Sequence, residues 1–452
     1  MLEIAILAAG KGTRMCSNLP KVLHTLAGKP FLQHVLDRAD ELGSTNTSII
    51  VGHGADAVKN TIRAENIGFI EQVNQLGTGH AVLHALPHLN DDATLLILYG
   101  DVPLIATETL QRLITNVTDD ALGLLTVSLD DPTGYGRIVR DDAGAVVAIV
   151  EQKLANNDQL KIQEVNTGVM AVNVKDLQRW LPALSDDNAQ KEYLLTDIIE
   201  MANAEGKTIV TAQPSEEYEV LGVNNRVQQA ELERVYQAKV ANNLLEKGVT
   251  LLDPQRFDCR GTLTVGKDCV IDVNCVFEGD VVLGDAVTIG PNCHIKDTEI
   301  ASNVEIKSHS VLEGAKIGNH VAVGPFARLR PKAALGDHAK VGNFVEIKKS
   351  NIGENSKVSH LSYIGDAEVG DNVNVGAGTI TCNYDGVNKF VTEIGDGVFV
   401  GSNTSLVAPV ALGENVTVAA GSVVTIDVKE DALAVARSRQ RNIDGWVRPT
   451  KK

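Results

Sequence analysis

A glycine-rich loop near residue 10 carries two basic side chains in positions that suit a phosphate group. Residues 7–15 read LAAGKGTRM, and Pro20-Lys21 closes the loop. Small residues let backbone N–H groups approach phosphate oxygens, and the loop runs toward the start of a helix. Arg14 and Lys21 add full positive charges beside those dipoles. A tight strand–helix turn would account for the glycines alone, whereas the glycines together with both cations predict phosphate binding.

One carboxylate, Asp101, follows a predicted strand directly. In an open α/β sheet, ligands bind in the crevice at the carboxyl ends of the strands. A carboxylate there suits Mg²⁺, which takes few protein ligands and keeps phosphate oxygens and water. A helix cap is the alternative role for this residue.

Four side chains in the second half of the chain could form one polar site. His360 could accept a proton, because imidazole titrates in the right range. We expect Lys348, His360 and Tyr363 to lie on successive coils of a predicted repeat, with Arg330 further back, so that they could form one wall of a site. Glu346 is a plausible partner for orienting the ring. Most of the 11 histidines must be surface or packing residues, so His360 needs this context to stand out.

The first 226 residues alternate short aliphatic strands with helical patterns, which favours a mostly parallel sheet covered by helices. Strands are predicted at residues 4–8, 48–51, 95–99, 123–127 and 169–172, and helices at 33–42, 81–86 and 107–115. Residues 226–247 contain no Pro and no Gly and keep a helical rhythm, so they predict a linker helix.

Beyond residue 248 a large apolar side chain, nearly always aliphatic, recurs at every sixth position in successive sets and is often followed by glycine. The series runs through Val265, Ile271, Phe277, Leu283, Ile289 and Ile295 and continues to Val418 and Val424. A triangular coil explains this step, because each side takes about six residues and glycine permits the sharp turn. Ordinary meandering strands are the weaker alternative. The rhythm breaks at residues 382–393, and such an insertion in a solenoid is a usual place for binding residues.

Composition excludes several classes of protein. The net charge of −17 over 452 residues disfavours nucleic acid or an anionic membrane as the main partner. The six cysteines show no CxxC pair, so packing is a better explanation for them than a metal site or a disulfide. No apolar run is long enough to span a membrane and no signal peptide is evident, so we expect a cytoplasmic protein without membrane insertion.

The loop at residues 7–21 resembles the signature of the sugar-nucleotide pyrophosphorylase family, as do the Gln72, LGTGH (76–80) and YGD (99–101) motifs. The resemblance implies that Arg14 and Lys21 act in uridylyl transfer and that Asp101 and Asn224 hold Mg²⁺; a turn is the alternative role for Asn224. The implied nucleotide- and sugar-binding positions are Leu7, Ala8, Ala9, Gly10, Lys21, Gln72, Gly77, Thr78, Tyr99, Gly100, Asp101, Gly136, Glu151, Asn166 and Asn224. Each of Gly136, Glu151 and Asn166 is by itself only a weak indication of sugar binding.

The second half resembles the hexapeptide-repeat acyltransferases, and the whole chain is similar to the bacterial family of bifunctional N-acetylglucosamine-1-phosphate uridyltransferase/glucosamine-1-phosphate acetyltransferases. The match implies a left-handed β-helix, a homotrimer, His360 as general base and the Ala377 N–H as oxyanion donor. The implied sugar-phosphate residues are Arg330, Lys348, Tyr363 and Asn374, and the implied acetyl-CoA residues are Ala377, Asn383, Tyr384, Ser402, Ala420 and Arg437.

The sequence departs from the family pattern at three places. Lys191 stands where glycine is expected, Asn403 replaces an aspartate, and residues 437–441 are unusually basic. We expect these changes to tune affinity for sugar phosphate or for the CoA phosphates without abolishing activity.

Three interpretations follow. The first is an enzyme with a uridylyltransferase domain at 1–226, a linker helix at 227–247 and an acetyltransferase β-helix at 248–452, using glucosamine-1-phosphate, acetyl-CoA, UTP and Mg²⁺. The second is a nucleotidyltransferase whose β-helix only oligomerises or binds an effector. The third is a non-catalytic nucleotide-sugar sensor, which could dispense with Asp101. His360 and the nearby insertion favour the first interpretation.

Overall fold

A computed structural model describes residues 1–64, 66–188 and 191–451. The chain forms two compact units, Met1–Tyr236 and Gln237–Lys452. The division falls inside the helix Arg226–Glu246, which coincides within one residue with the predicted linker helix. No helix in the described ranges is long and apolar enough to cross a membrane.

The first unit is built on one twisted sheet. Across the sheet its strands are Thr208–Ala212, Ala121–Ser128, Glu164–Asn173, Thr94–Tyr99, Leu2–Ala8, Asn46–Val51 and Ile67–Glu71. Every pairing along this path is parallel except those of Glu164–Asn173, which is antiparallel to both neighbours. Strands Arg137–Arg140 and Val146–Val150 extend the sheet, and Thr25–Leu26 pairs with Lys29–Pro30. The predicted mostly parallel sheet is confirmed.

Helices cover both faces of this sheet. The α-helices of the first unit are Phe31–Glu41, Ala55–Thr61, Thr78–Ala85, Thr107–Thr115, Val174–Trp180 and Ile198–Ala204. Short 3₁₀ helices lie at Thr13–Met15, Lys21–Leu23, Leu86–His88, Gln159–Lys161, Leu181–Ala183, Leu195–Asp197 and Glu217–Val220. Successive side chains of Leu2–Ala8 enter different clusters, Ile4 and Ile6 on one side and Ala5 on the other. A strand buried on both faces must be largely apolar, which explains the sequence LEIAILA; its one charged side chain, Glu3, is buried and accepts a hydrogen bond from the Asn90 N–H.

The second unit is a parallel β-helix of hexapeptide repeats, as predicted, and is consistent with the left-handed form. A typical coil contributes three short strands, for example Lys357–His360, Tyr363–Gly365 and Ala367–Val369. The strands of the first face are Thr250–Leu251, Val270–Ile271, Thr288–Ile289, Glu305–Ile306, Ala322–Val323, Lys340–Asn343, Lys357–His360, Asn374–Val375, Phe399–Val400, Thr417–Val418 and Leu433–Ala434.

The other two faces share one continuous pairing network. Its strands are Phe257–Val265, Cys275–Leu283, His294–Lys296, Glu299–Ile300, Val311–Glu313, Lys316–Ile317, Arg328–Leu329, Ala334–Leu335, Glu346–Lys348, Asn351–Ile352, Tyr363–Gly365, Ala367–Val369, Ile380–Cys382, Thr392–Ile394, Ser405–Val407, Val410–Leu412 and Val423–Val424. The residues of the six-residue series point inward; Ile289, Val341 and Val358 are fully buried. Pro254–Arg256 forms a 3₁₀ turn.

The corners of the β-helix require left-handed backbone conformations. Many corner residues have φ between 45° and 67°, and asparagine is the commonest type among them. Asparagine tolerates this region better than most residues do, because its short polar side chain bonds locally. Each coil stacks on the next in a fixed register, so residues about one coil apart in sequence lie next to each other.

Candidate active sites

A cavity of about 330 Å³ lies at the carboxyl ends of the central strands of the first unit. It is lined by Leu7, Ala8, Ala9, Gly10, Lys21, Val22, Gln72, Gln75, Gly77, Thr78, Ala81, Tyr99, Asp101 and Glu192. Ten of these were predicted to bind nucleotide. The loops after strands Leu2–Ala8 and Thr94–Tyr99 supply its floor, because those two strands pair directly and end side by side.

Four of the predicted catalytic and metal residues meet beside this cavity. The Lys21 ammonium forms an ion pair with Asp101 and lies 3.0 Å from Asn224 Oδ1. Arg14 donates to the same Asn224 oxygen over 2.9 Å. The backbone N–H of Val223 donates to the carbonyl of Asp101, which ties the two segments together. Residues more than 200 positions apart in the chain therefore form one cluster.

The donor set of this cluster suits a magnesium ion. Asp101 and Asn224 present a carboxylate and an amide oxygen that both face one cation, the Lys21 ammonium. Hard oxygen donors of this kind are the ligands Mg²⁺ prefers. Within residues 1–64, 66–188 and 191–451 no group of three or more His, Cys, Asp or Glu side chains is placed to hold a metal. Two ligands are nevertheless enough for Mg²⁺ when phosphates and water complete its shell.

The wall opposite the glycine loop is held by a buried glutamine. Gln72 is 2% exposed, and its amide donates to the Gly77 carbonyl over 3.1 Å. Gly77 has φ +114°, and a Cβ there would lie 2.5 Å from the Tyr193 carbonyl oxygen. Only glycine fits such a position. The Thr78 hydroxyl accepts a hydrogen bond from the Leu195 N–H, so this wall is braced against the segment that follows residue 191.

The predicted sugar-side residues lie close together. The Asn166 N–H donates to the Gly136 carbonyl, and a Cβ on Gly136 would lie 3.5 Å from Glu151 Oε1. Gly168, whose N–H donates to Asn166 Oδ1, packs directly against the Tyr99 ring. Tyr99 thus joins the sugar-side residues to the Asp101 end of the cavity.

Two titratable groups in this region have raised pKa values. Burial raises the pKa of Glu151, and the nearby Asp197 carboxylate raises it further. Burial, followed by the charges of Asp101 and Glu151, raises the pKa of Tyr99 well above its usual range. Perturbed groups in a cleft are typical of functional sites.

Sequence reasoning missed Val22, Gln75, Ala81 and Glu192, which also line the cavity. Gln75 and Glu192 lie inside or beside motifs already recognised, so proximity in sequence was the available signal. Lys191 has φ +54°, the left-handed region that favours glycine, which explains why glycine is the expected residue there. Its ammonium lies 3.4 Å from the exposed Asp187 carboxylate.

In the β-helix, His360 begins a column that follows one corner. Backbone hydrogen bonds link His360 to Gly378, Ala377 to Asn403 and Ser402 to Gly421 in successive coils. Arg437 donates from its guanidinium to the Ala420 carbonyl over 2.8 Å. The predicted base and four of the predicted acetyl-CoA residues, Ala377, Ser402, Ala420 and Arg437, are therefore aligned along this corner.

The adjoining face carries three of the predicted sugar-phosphate residues; Tyr363 lies there in the same coil as His360, not on a successive coil as predicted, because the chain turns one corner between them. Lys348 pairs with Gly365 in the register, and the Tyr363 hydroxyl lies over Gly365. Arg330 forms a 2.8 Å ion pair with Glu346. Asn374 lies instead on the face that precedes the His360 corner, in register with Lys357.

The expected partner of His360 was wrong. Glu346 is bonded to Arg330, whereas His360 Nδ1 lies 2.8 Å from Asn343 Oδ1. The reason is the register: Asn343 pairs with His360 in the strand ladder, while Glu346 pairs with Tyr363 on the next face.

The insertion is anchored by a buried carboxylate. Asp366 accepts a 2.5 Å hydrogen bond from the Asn383 amide and pairs with Lys349 over 3.0 Å. Burial opposes ionisation of Asp366, but the hydrogen bonds from Lys349 and Asn383 outweigh it and hold its pKa below the ordinary value. Asn383 Nδ2 also lies 3.5 Å from the Tyr363 hydroxyl, while Tyr384 lies exposed in the insertion.

Asn403, the second departure from the family pattern, has φ +56°. Asparagine is favoured over most residues in that conformation, so it suits this corner. Its N–H donates to the Ala377 carbonyl over 2.7 Å, which keeps the acetyl-CoA column in register.

Family models match both units. A MobA-like NTP transferase domain matches residues 4–135. A GMPPB C-terminal domain matches residues 259–341, and a hexapeptide repeat of succinyl-transferase matches residues 391–425.

Curated relatives match the whole chain. The "Bifunctional protein GlmU" of Saccharophagus degradans is 63% identical over 452 residues, which is 100% of both chains. The protein of the same name from Cellvibrio japonicus is 61% identical over 452 residues, again 100% of both. That from Marinobacter nauticus is 57% identical over 450 residues, 100% of this chain and 99% of its own.

Proposed function

The chain belongs to the family of bifunctional GlmU proteins, and from that membership we propose that it catalyses two successive transfers. Acetyl-CoA acetylates glucosamine-1-phosphate, and UTP then donates UMP to N-acetylglucosamine-1-phosphate. The products are UDP-N-acetylglucosamine, a precursor of the cell wall, and pyrophosphate. The observation that carries the proposal is that each unit holds its own cluster of predicted site residues.

For uridylyl transfer, the phosphate oxygen of the sugar attacks the α-phosphorus of UTP while the bond to pyrophosphate breaks. The protein needs no covalent intermediate, so positioning and charge supply the catalysis. Arg14 and Lys21, which converge on Asn224, stand beside the cavity where negative charge develops. Gln72 and Gly77 shape the wall of the cavity that we assign to the nucleobase of UTP.

We assign Asp101 and Asn224 as the residues that would hold Mg²⁺. The ion would neutralise phosphate charge and fix the geometry of the triphosphate. Lys21 contacts both of these residues, so its ammonium lies beside the position that we assign to the ion. Glu151, Gly136 and Asn166 are assigned to the sugar.

For acetyl transfer, we assign His360 as the base that takes the proton of the amine. As the C–N bond forms, the carbonyl oxygen of the thioester becomes an oxyanion, and the C–S bond then breaks to release CoA. Within residues 191–451 the Ala377 N–H donates to no other group, so it is free to bind that oxyanion. Arg330, Lys348 and Tyr363 are assigned to the sugar phosphate.

We propose a homotrimer as the assembly. Asn374 lies on a different face from Lys348 and Tyr363, so one chain does not place all the assigned sugar residues on one surface. A column of exposed side chains, which we call the corner stripe, follows one corner of the β-helix through the coils that precede His360 and ends at Leu361, next to it in the sequence. It consists of His309, Phe326, Phe344 and Leu361. Exposed apolar ladders of this kind mark protein–protein contacts.

The proposed compartment is the cytoplasm. None of the six cysteines, all within the described ranges, forms a disulfide. Free thiols are the usual state in a reducing compartment.

A nucleotidyltransferase with a purely structural β-helix is the main competing function. A purely structural β-helix would not require His360, which is hydrogen-bonded at Nδ1 and lies at the end of a column of small residues along the same corner. Supplying glucosamine-1-phosphate, acetyl-CoA, UTP and Mg²⁺ should release both free thiol and pyrophosphate. Pyrophosphate formed only when N-acetylglucosamine-1-phosphate is supplied, with no thiol in any mixture, would favour the competing function.

A further inference from the structure

We propose that Asn343 is the positioning residue that fixes the proton of the His360 ring on Nδ1 and so presents Nε2 as the proton acceptor. The inference rests on the proposed role of His360 as base in acetyl transfer. Asn343 is partly buried and lies one coil before His360, and its side-chain oxygen is 2.8 Å from His360 Nδ1.

The chemistry of the pair follows from its atoms. An amide oxygen can only accept a hydrogen bond, so the ring nitrogen that faces it must carry the proton. A neutral imidazole has one proton, which leaves the lone pair on Nε2. That nitrogen is the one free to take a proton from an attacking amine. The hydrogen bond thus selects the tautomer that the reaction needs.

The backbone holds Asn343 in place against His360. Strands Lys340–Asn343 and Lys357–His360 pair in parallel with Asn343 opposite His360. The Leu361 N–H donates to the Asn343 carbonyl over 3.1 Å, so the two residues are joined at the backbone as well as at the side chains. Gly342 allows the close approach, because a Cβ there would lie 1.9 Å from the Ser359 carbonyl oxygen.

The next coil leaves the other side of the ring open. The residue at the equivalent corner position is Ala377, which has no polar side chain to compete for the imidazole. The charged groups nearest in sequence to the pair are Lys340 and Lys357, which begin the two strands, and Glu346, each three residues from Asn343 or His360. Glu346, the carboxylate that could have served instead, is bonded to Arg330.

The test is acetyl transfer by Asn343→Ala and Asn343→Asp in the full chain, followed by thiol release as a function of pH. We expect Asn343→Ala to lower kcat roughly tenfold with an unchanged KM for acetyl-CoA, about the effect of one hydrogen bond lost in the transition state. Asn343→Asp keeps the acceptor and should keep most of kcat. Its added carboxylate favours the protonated ring, so the acidic limb of kcat/KM should move to higher pH.

Asn351→Ala is the matched control, because Asn351 donates across the same 17-residue spacing to Glu368 over 2.7 Å. We expect it to leave acetyl transfer unchanged. Pyrophosphate release from UTP and the melting temperature report on folding. Wild-type kcat and pH profile in both Asn343 variants, with His360→Ala inactive, would overturn the positioning role and leave the base intact. If acetyl transfer survived in His360→Ala, His360 would not be the base, and the positioning role of Asn343 would be wrong as well.

Discussion

Glu151 occupies a site that costs the fold stability. Burial and Asp197 raise its pKa, so the ionised form is disfavoured in the folded state. A carboxyl with a raised pKa contributes its full stability below the unfolded pKa and loses it as pH rises through the folded value. Sites of this kind are where function and stability trade against each other.

We therefore expect Glu151→Gln to raise the unfolding midpoint of the first unit at neutral pH and to raise the KM for N-acetylglucosamine-1-phosphate. The stability gain should vanish near pH 4, where the wild-type carboxyl is neutral. Thermal unfolding across pH, with uridylyl transfer kinetics, measures both effects.

Glu164→Gln is the control of opposite sign. Arg140 donates to both carboxylate oxygens of Glu164, and its hydrogen bond is the main cause of the lowered pKa. Stability from this group is present above the unfolded pKa and is lost as pH falls through the folded value. Glu164→Gln should thus destabilise at neutral pH, and a gain in both variants would contradict the account.

For single residues, the sequence predicted which residues belong to a site better than it predicted their contacts. Lys21, Asp101 and Asn224 were each recognisable from a motif, but no local pattern says that one ammonium bridges the other two. Asn343 had a usable signal: Gly342-Asn343 holds the same repeat position as Ser359-His360. Glu346 was the expected partner of His360, but the strand register places Asn343 opposite His360 and Glu346 opposite Tyr363.

The stacking of coils is the element on which the acetyl-transfer site depends. Gly342→Ala would place a methyl group 1.9 Å from the Ser359 carbonyl oxygen, so the coils must separate. Overpacking of this size costs roughly 1–3 kcal/mol. We expect a melting temperature lower by about 5 °C and weakened acetyl transfer, measured by calorimetry and thiol release.

Gly68→Ala supplies the comparison for that substitution. Gly68 lies in strand Ile67–Glu71 of the first unit, and a methyl group added there would meet no atom of the described residues within 4 Å apart from its own chain neighbours. It should leave both activities and the melting temperature nearly unchanged. If Gly342→Ala behaves in the same way, the tight stacking of coils is not what holds His360.

Elements were predictable where periodicity was strong. The six-residue series predicted the β-helix because each side of a coil requires one inward-pointing aliphatic side chain. Strand Glu164–Asn173 shows the limit: its apolar pattern predicted a strand at residues 169–172, but neither its antiparallel direction nor its full ten residues. Direction depends on which neighbours the strand joins, and that information is not local.

At the scale of the whole molecule, the proposed trimer depends on the corner stripe. Phe344 is 55% exposed and stacks on Phe326 with ring centroids 5.2 Å apart. Phe344→Glu should dissociate the assembly and abolish acetyl transfer, because Asn374 would no longer join the other sugar residues. Uridylyl transfer, which uses the first unit, should persist. Sedimentation velocity with both assays measures this.

Leu252→Glu is the control for surface charge, since Leu252 is an exposed apolar residue outside the stripe. We expect it to leave the assembly intact. An intact trimer with full acetyl transfer in Phe344→Glu would show that subunits meet elsewhere.

The most direct test of two separate sites is complementation between Arg14→Ala and His360→Ala. From glucosamine-1-phosphate, acetyl-CoA, UTP and Mg²⁺, neither variant alone should make UDP-N-acetylglucosamine at an appreciable rate. Arg14→Ala should still release thiol, and His360→Ala should still release pyrophosphate when given N-acetylglucosamine-1-phosphate. An equal mixture should make the nucleotide sugar, because the acetylated intermediate can pass between molecules. Loss of both activities in either variant, or no product from the mixture, would contradict the account.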